Sequence, residues 1–307
     1  MFIRKAALTA AAIAAFATLA SAQSVYDLSP QQPGRPRTQP NPAAIAAIAG
    51  DARLVEPGVL TVATNASTPP LATYATDSAT LVGADPDVAQ LIADSLGLKL
   101  KLIPTPWADW PLGVASRKYD AAISNIGVTE QRKEKFDFSS YRAGLHGFFV
   151  KADSKVGKIA EPKDAAGLRI VLGGGTNQER ILLEWSKQNL AAGLKPIELI
   201  TFDDEANRLL ALSSGRADVI VQPHAQLLFI QQRDRNIRRV GVLSAGWPER
   251  SDVAVATRKG AGLAQAITLA LEGAYRDGTF DAALRRWGVE EERLEKPETN
   301  PRGLPKY

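Results

Sequence analysis

A guanidinium three residues after a hydroxyl, a triple-glycine turn, an isolated tryptophan and two histidines are the groups in this sequence with the types and spacing to do chemistry. In Thr129-Glu130-Gln131-Arg132 the guanidinium can grip a carboxylate through two parallel charge-assisted hydrogen bonds. The same stretch, charged from Glu130 to Lys135, also reads as a solvated face. Gly173-Gly174-Gly175-Thr176-Asn177 exposes backbone N–H groups at a helix start, which suits an anion, although a plain tight turn fits as well. It lacks the Lys-Ser/Thr of a nucleotide phosphate loop, and its glycines do not match a dinucleotide fingerprint. Trp107 suits either a stacking wall or a core. His146 and His224 are the only histidines. A lone histidine is more often a satisfied structural group than a ligand contact, and of the two His224 is the better candidate. Metal sites need several such groups at set spacing, so neither metal nor cofactor is expected.

Alternating strand and helix patterns must position these groups. Val59 to Thr64 reads as a buried strand. Asp85-Pro86 then supplies a helix cap and first-turn proline, Val88, Leu91, Ile92 and Leu96 form an apolar stripe, and Gly97 stops the helix. Leu98, Leu100 and Leu102 alternate with lysines as a half-exposed strand, and Ala121 to Ile123 forms a short one. A second series begins at Leu168 to Leu172, passes through the triple-glycine turn into a helix with Ile181, Leu182 and Trp185, and ends on strand Ala217 to Val221. This is an α/β chain with mainly parallel sheets. Ligands of such sheets sit at the carboxyl ends of strands, hence at the loops after Thr64, Ile123, Leu172 and Val221.

Those loops carry a resemblance. Gly83 to Ala89, Trp107, Lys118 to Ser124, Val128 to Lys133 and Phe136 to Ser139, followed by Gly174 to Asn177, Ser214 to Asp218, Val253 to Val255, Arg258 to Gly260 and Asp277 to Thr279, stand in an order that resembles the amino-acid-binding family of periplasmic solute-binding proteins. The resemblance runs from about residue 55 to 290 and implies two Rossmann-like lobes joined by a two-strand hinge (the type II periplasmic-binding-protein fold). The chain would cross near Phe149 to Ala152 and return near Trp247 to Asp252. It implies that Arg132 holds a ligand carboxylate, assisted by Thr129, Ser124 and the backbone from Asn125 to Gly127, with Trp107 as a wall and Gly175, Thr176 and Asn177 closing from the second lobe. Where amino-acid binders usually place acids facing the ligand ammonium, this sequence has Asn65 and Pro223, with His224 next in line, and the usual first-loop aromatic is Thr68. The carboxylate half of the pocket is therefore expected to be kept and the ammonium half altered, with Asp252 or Glu179 as substitute partners for a nitrogen. The implied function is capture of an amino acid or related small carboxylate for a membrane ABC permease. Two alternatives stand beside it: a dehydratase-like enzyme on a prephenate-type carboxylate, with His224, Glu179 and Asp252 as acid or base candidates, and a sensor that presents its ligand to a receptor.

Arg4 and Lys5 precede an uncharged run from Ala6 to Leu19 and the small triplet Ala20-Ser21-Ala22, the pattern of a secretory signal cleaved before Gln23. The apolar run is too short and Ala-rich for a bilayer span. With no cysteine, neither disulfides nor a lipid-attached cysteine can form, so a free periplasmic monomer is expected. The net charge is only +4, with basic residues scattered, which argues against a nucleic-acid partner. The expected organisation is signal peptide 1–22, flexible Pro-rich leader with a short helix 23–50, first lobe 51–150 plus 250–295, second lobe 151–249 and tail 296–307.

Overall fold

The computed structural model describes residues 26–50, 52–202 and 204–306, so the expected signal peptide and its cleavage site lie outside the described residues. After the short helix α1 (Pro42–Ala46), the chain lays down β1 (Val59–Thr64), a small hairpin of β2 (Thr73–Tyr74) and β3 (Leu81–Val82), α2 (Ala84–Ser95), β4 (Lys99–Pro104), α3 (Trp110–Ala115), β5 (Ala121–Ala122) and β6 (Phe136–Ala143). It then builds β7 (Leu145–Lys151), β8 (Arg169–Leu172), α4 (Asn177–Ala191), β9 (Glu198–Thr201), α5 (Glu205–Ser213), β10 (Val219–Pro223), α6 (His224–Asp234) and β11 (Ile237–Ser244). β12 (Asp252–Arg258), α7 (Ala264–Arg276) and α8 (Thr279–Arg286) return to the first unit.

Two five-stranded sheets result, ordered β4-β1-β5-β12-β6 and β11-β7-β10-β8-β9. β1 is parallel to β4 and β5, and β8 to β9 and β10, while β12 and β7 run antiparallel to both of their neighbours. Each sheet is thus mainly parallel, as expected, with four strands running one way and a single lobe-joining strand, β12 or β7, running against them. Apolar clusters cover both faces of each sheet: one set gathers Leu60, Val62, Leu91 and Leu271 on one side of the first sheet and Trp110, Phe136 and Phe138 on the other. The other set gathers Ile170, Leu172 and Trp185, and Val171, Ile220 and Leu227, about the second. β1 is buried from Leu60 to Thr64 because it is sandwiched this way, whereas β4, at a sheet edge, alternates.

The structure corrects the sequence reading at several joints. α2 begins two residues earlier than expected, with Gly83 at the cap; its φ of 139° and the Leu71 carbonyl oxygen 2.3 Å from where a Cβ would lie exclude a side chain. Asp85 is consequently a buried internal residue, not a cap. The lobes cross at Gly144, earlier than residues 149–152, since strand 145–151 pairs with the second sheet. The return spans Ala245 to Ser251, and the two crossings bond to each other: Ala245 N–H donates to Gly144 O at 2.9 Å and Gly144 N–H to Ser251 O at 2.7 Å.

The leader is fastened rather than flexible over its described part. Tyr26 stacks between Phe229 of α6 and Trp287 after α8, Arg35 pairs with Asp87 and Arg37 with Asp94. Asn41 accepts from the Ala43 and Ala44 N–H groups and so caps α1. The C-terminal segment is equally bound. Asn300 N–H donates to Phe138 O at 2.8 Å and Leu304 N–H to Val128 O at 2.9 Å, extending the first lobe past β6. Among the described residues, no helix is long and apolar enough to cross a membrane.

Candidate functional site

A cavity of about 400 Å³ opens where the carboxyl ends of β1 and β5 face those of β8 and β10, beside the hinge. Asn65 and Thr68 reach it from the loop after β1, Trp107 from the turn after β4, Ser124, Asn125 and Gly127 from the loop after β5, and Thr129 and Arg132 from the segment leading to β6. Gly175, Thr176 and Asn177 enter at the start of α4. Eleven of the twelve residues singled out from the sequence therefore border one space, and His224 does not.

Arg132 is partly buried, its guanidinium 5.5 Å from the Trp107 ring centre and 5.8 Å from that of Trp110. Its Nη1 donates to Gly127 O at 2.7 Å and its backbone N–H to Thr129 Oγ1 at 3.1 Å. Among the described residues, no carboxylate lies within ion-pair distance of it. Burial lowers its pKa, but a guanidinium starts so high that it stays charged. The stacked indoles hold the side chain by cation–π contact while leaving its fork toward the cavity. Nearby, Asn65 N–H donates to Ser124 Oγ at 3.2 Å, and Thr68 Oγ1 to Asn65 O at 3.1 Å, which fixes the first loop.

Beneath this, a second arginine is held quite differently. Arg142, on β6 and only 1% exposed, bonds the Glu292 carboxylate through Nη1 and Asn125 Oδ1 through Nη2 at 2.7 Å, with Asp85 4.0 Å from its Nε. Tyr141 donates its hydroxyl to Asp85 at 2.6 Å. Burial pushes the Glu292 and Asp85 carboxyls up, and the Arg142 charge pulls both back. Glu292 also accepts from the Ala225 N–H at the start of α6, linking the chain's C-terminal segment to the second lobe. It is the only acid bordering the cavity among the described residues.

On the second lobe the donors are engaged internally. Thr176 caps α4, accepting from the Glu179 N–H at 3.3 Å and donating to Gly173 O at 2.7 Å. Gly175, at φ +66°, donates its N–H to Glu179 Oε2 at 2.6 Å, and Asn177 Nδ2 donates to Ala245 O at 3.1 Å. Glu179 thus lies on the glycine turn where an anion was expected, and neither it nor Asp252, which pairs with Arg250, borders the cavity.

His224, expected at the cavity, does not border it. Pro223 faces the cavity, and His224, the first residue of α6, turns behind it, where Nε2 lies 2.8 Å from Arg239 Nη1. Burial, opposed by Glu291 and reinforced by Arg239, pushes its pKa down to about 4. The histidine that does reach the cavity is His146, paired on β7 with Pro223. Its signal was a polar residue just ahead of the apolar stretch Phe148 to Val150. Sequence reasoning also missed Gln226, Glu292 and Leu304. Leu304 borders the cavity because the C-terminal segment lies alongside Thr129, and no local pattern marks it.

A model of the bacterial extracellular solute-binding proteins, family 3, matches residues 60–290. The L-cystine-binding protein TcyJ of Escherichia coli (strain K12) is 28% identical over 239 residues, covering 76% of this chain and 84% of that protein. The cyclohexadienyl dehydratase of Pseudomonas aeruginosa is 28% identical over 172 residues, covering 55% of this chain and 60% of the enzyme. Among solved structures, an ancestral arginine-binding protein bound to glutamine is 30% identical, with a TM-score of 0.59, over 76% of this chain and all of that one.

Proposed function

Since the chain belongs to the bacterial extracellular solute-binding proteins of family 3, we propose that it is the periplasmic, monomeric substrate-binding component of an ABC importer, capturing an amino acid or related small carboxylate. One observation carries the ligand class: Arg132 is a partly buried cation aimed into the cavity with no carboxylate partner among the described residues. Burying an unpaired charge costs several kcal/mol, and a ligand carboxylate in the fork recovers it. Thr129, with its hydroxyl hydrogen free to donate, and Trp107 complete the docking face on the first lobe. Rotation about Gly144 and Ala245 to Ser251 brings Thr176 and Asn177 over the ligand and makes the surface that a permease reads.

The ammonium side has changed character. Asn65 and Pro223 stand at the usual acidic positions, Asp252 and Glu179 border other spaces, and Glu292 is neutralised by Arg142. This supports a ligand whose nitrogen is modified, absent, or held by neutral acceptors. Capture is favoured over catalysis because His224, Glu179 and Asp252, the acid–base candidates, all stand off the cavity. The test is a thermal-shift screen of amino acids and small organic acids, followed by calorimetry on the best binder. Arg132→Ala is expected to weaken binding at least about a hundredfold, from two lost hydrogen bonds to a charged group, while the melting temperature holds. Unchanged affinity would remove the reading, and turnover of prephenate would replace it with the enzyme.

A further inference from the structure

His146 is 6% exposed, borders the cavity, and among the described residues has no hydrogen-bond partner on either ring nitrogen. A neutral imidazole carries one N–H donor and one lone pair, and leaving both unpaired in a buried place is unfavourable unless something else supplies the partners. The strand register holds the ring in position: His146 sits opposite Pro223 on one side and Leu243 on the other, at the hinge end of the second sheet. Neither neighbour can bond it through a side chain.

We propose that His146 is a specificity-determining contact, its neutral imidazole hydrogen-bonding an uncharged polar group of the ligand beyond the carboxylate that Arg132 holds. The ligand class is then a small carboxylate with a carboxamide or hydroxyl, and not one with a cationic side chain. The inference rests on the carboxylate-capture reading and narrows it. Two further observations agree. Burial, with the Arg180 charge adding to it, pushes the His146 pKa down to about 3, so the ring is uncharged at neutral pH. The charged groups around the space are Arg132, Arg142 with Glu292, and Arg180 beside the imidazole, which leaves no free carboxylate for a second cation.

The test uses the mature full-length protein in calorimetric titrations with L-glutamine, L-norleucine and L-arginine, each also as its N-acetyl form. These set a carboxamide, a methyl and a guanidinium on comparable chains. The wild type is expected to favour the carboxamide over the methyl compound by tenfold or more, with arginine weakest. In H146L that preference disappears while norleucine affinity holds, and H146Q, which keeps a donor and an acceptor, restores part of it. The ligand-free melting temperature of H146L should not fall, since the substitution removes two unpaired polar atoms. A glutamine preference that survives H146L, or arginine as the tightest ligand of the wild type, overturns the inference alone. No binding across the panel overturns the carboxylate-capture reading and this inference with it.

Discussion

The two walls of the cavity hold similar donors in opposite states. On the first lobe Arg132 presents its fork to the cavity, braced by Gly127 O and two indoles that cannot compete for it. On the second lobe Thr176, Asn177 and the Gly175 N–H are already bonded to Gly173, Ala245 and Glu179. The difference assigns an order of events. A ligand can dock on the first wall without breaking anything, but it engages the second only by exchanging bonds that exist. Affinity should therefore come chiefly from the first lobe, and the second should act as an adjustable cover.

The contrast within the first lobe offers the hardest test. Arg142 carries the same guanidinium as Arg132 but sits among Glu292, Asp85 and Tyr141. Removing one member of a buried charged pair typically costs about 3–5 kcal/mol. Arg142→Ala should lower stability by about that amount in denaturant melts, whereas Arg132→Ala should barely change it. Equal losses would erase the distinction between a structural and a ligand-facing arginine.

Acid should separate the lobes next. Both histidines lie in the second lobe with pKa values pushed down to about 3 and about 4. A group with a depressed folded pKa takes up its proton more readily when unfolded, so stability is lost as pH falls from about 6.5 toward the folded values. By pH 5 the loss is on the order of 2 kcal/mol per histidine. Hydrogen exchange followed by segment should show β7 and α6 losing protection before β1 and α2. Uniform loss would contradict the contrast. The smallest effect is expected on the cover itself: Asn177→Ala removes a neutral donor that must leave Ala245 before it can serve, and should change ligand affinity by no more than about 1 kcal/mol in calorimetry.

Much of this was legible from local pattern. The apolar run at β1, the stripe on α2 and the loops at strand ends follow from periodicity, and they gather Asn65, Ser124, Arg132 and Thr176 around one space. The failures share a cause. Asp85 has a capping residue's local sequence, but its carboxylate accepts from Tyr141, whose place depends on the whole sheet. The expected crossing lay within strand 145–151, whose pairing partner, not its composition, decides which lobe it joins, and the observed one precedes it at Gly144. His224 was preferred to His146 because nearness to the end of β10 was visible while the facing of a pleat was not. Glu292 and Leu304 reach the site only because the chain returns from far along its length.

Tyr26 touches no part of the cavity, yet its ring lies 5.0 Å from Phe229 on one lobe and 5.9 Å from Trp287 on the other. The leader therefore bridges the two lobes. Each aromatic contact contributes about 0.5–1.5 kcal/mol, which enters directly into the balance between lobe arrangements, and apparent affinity scales with the fraction of molecules in the competent one. Sequence changes in a segment with no ligand contact can thus retune how tightly the protein holds its solute.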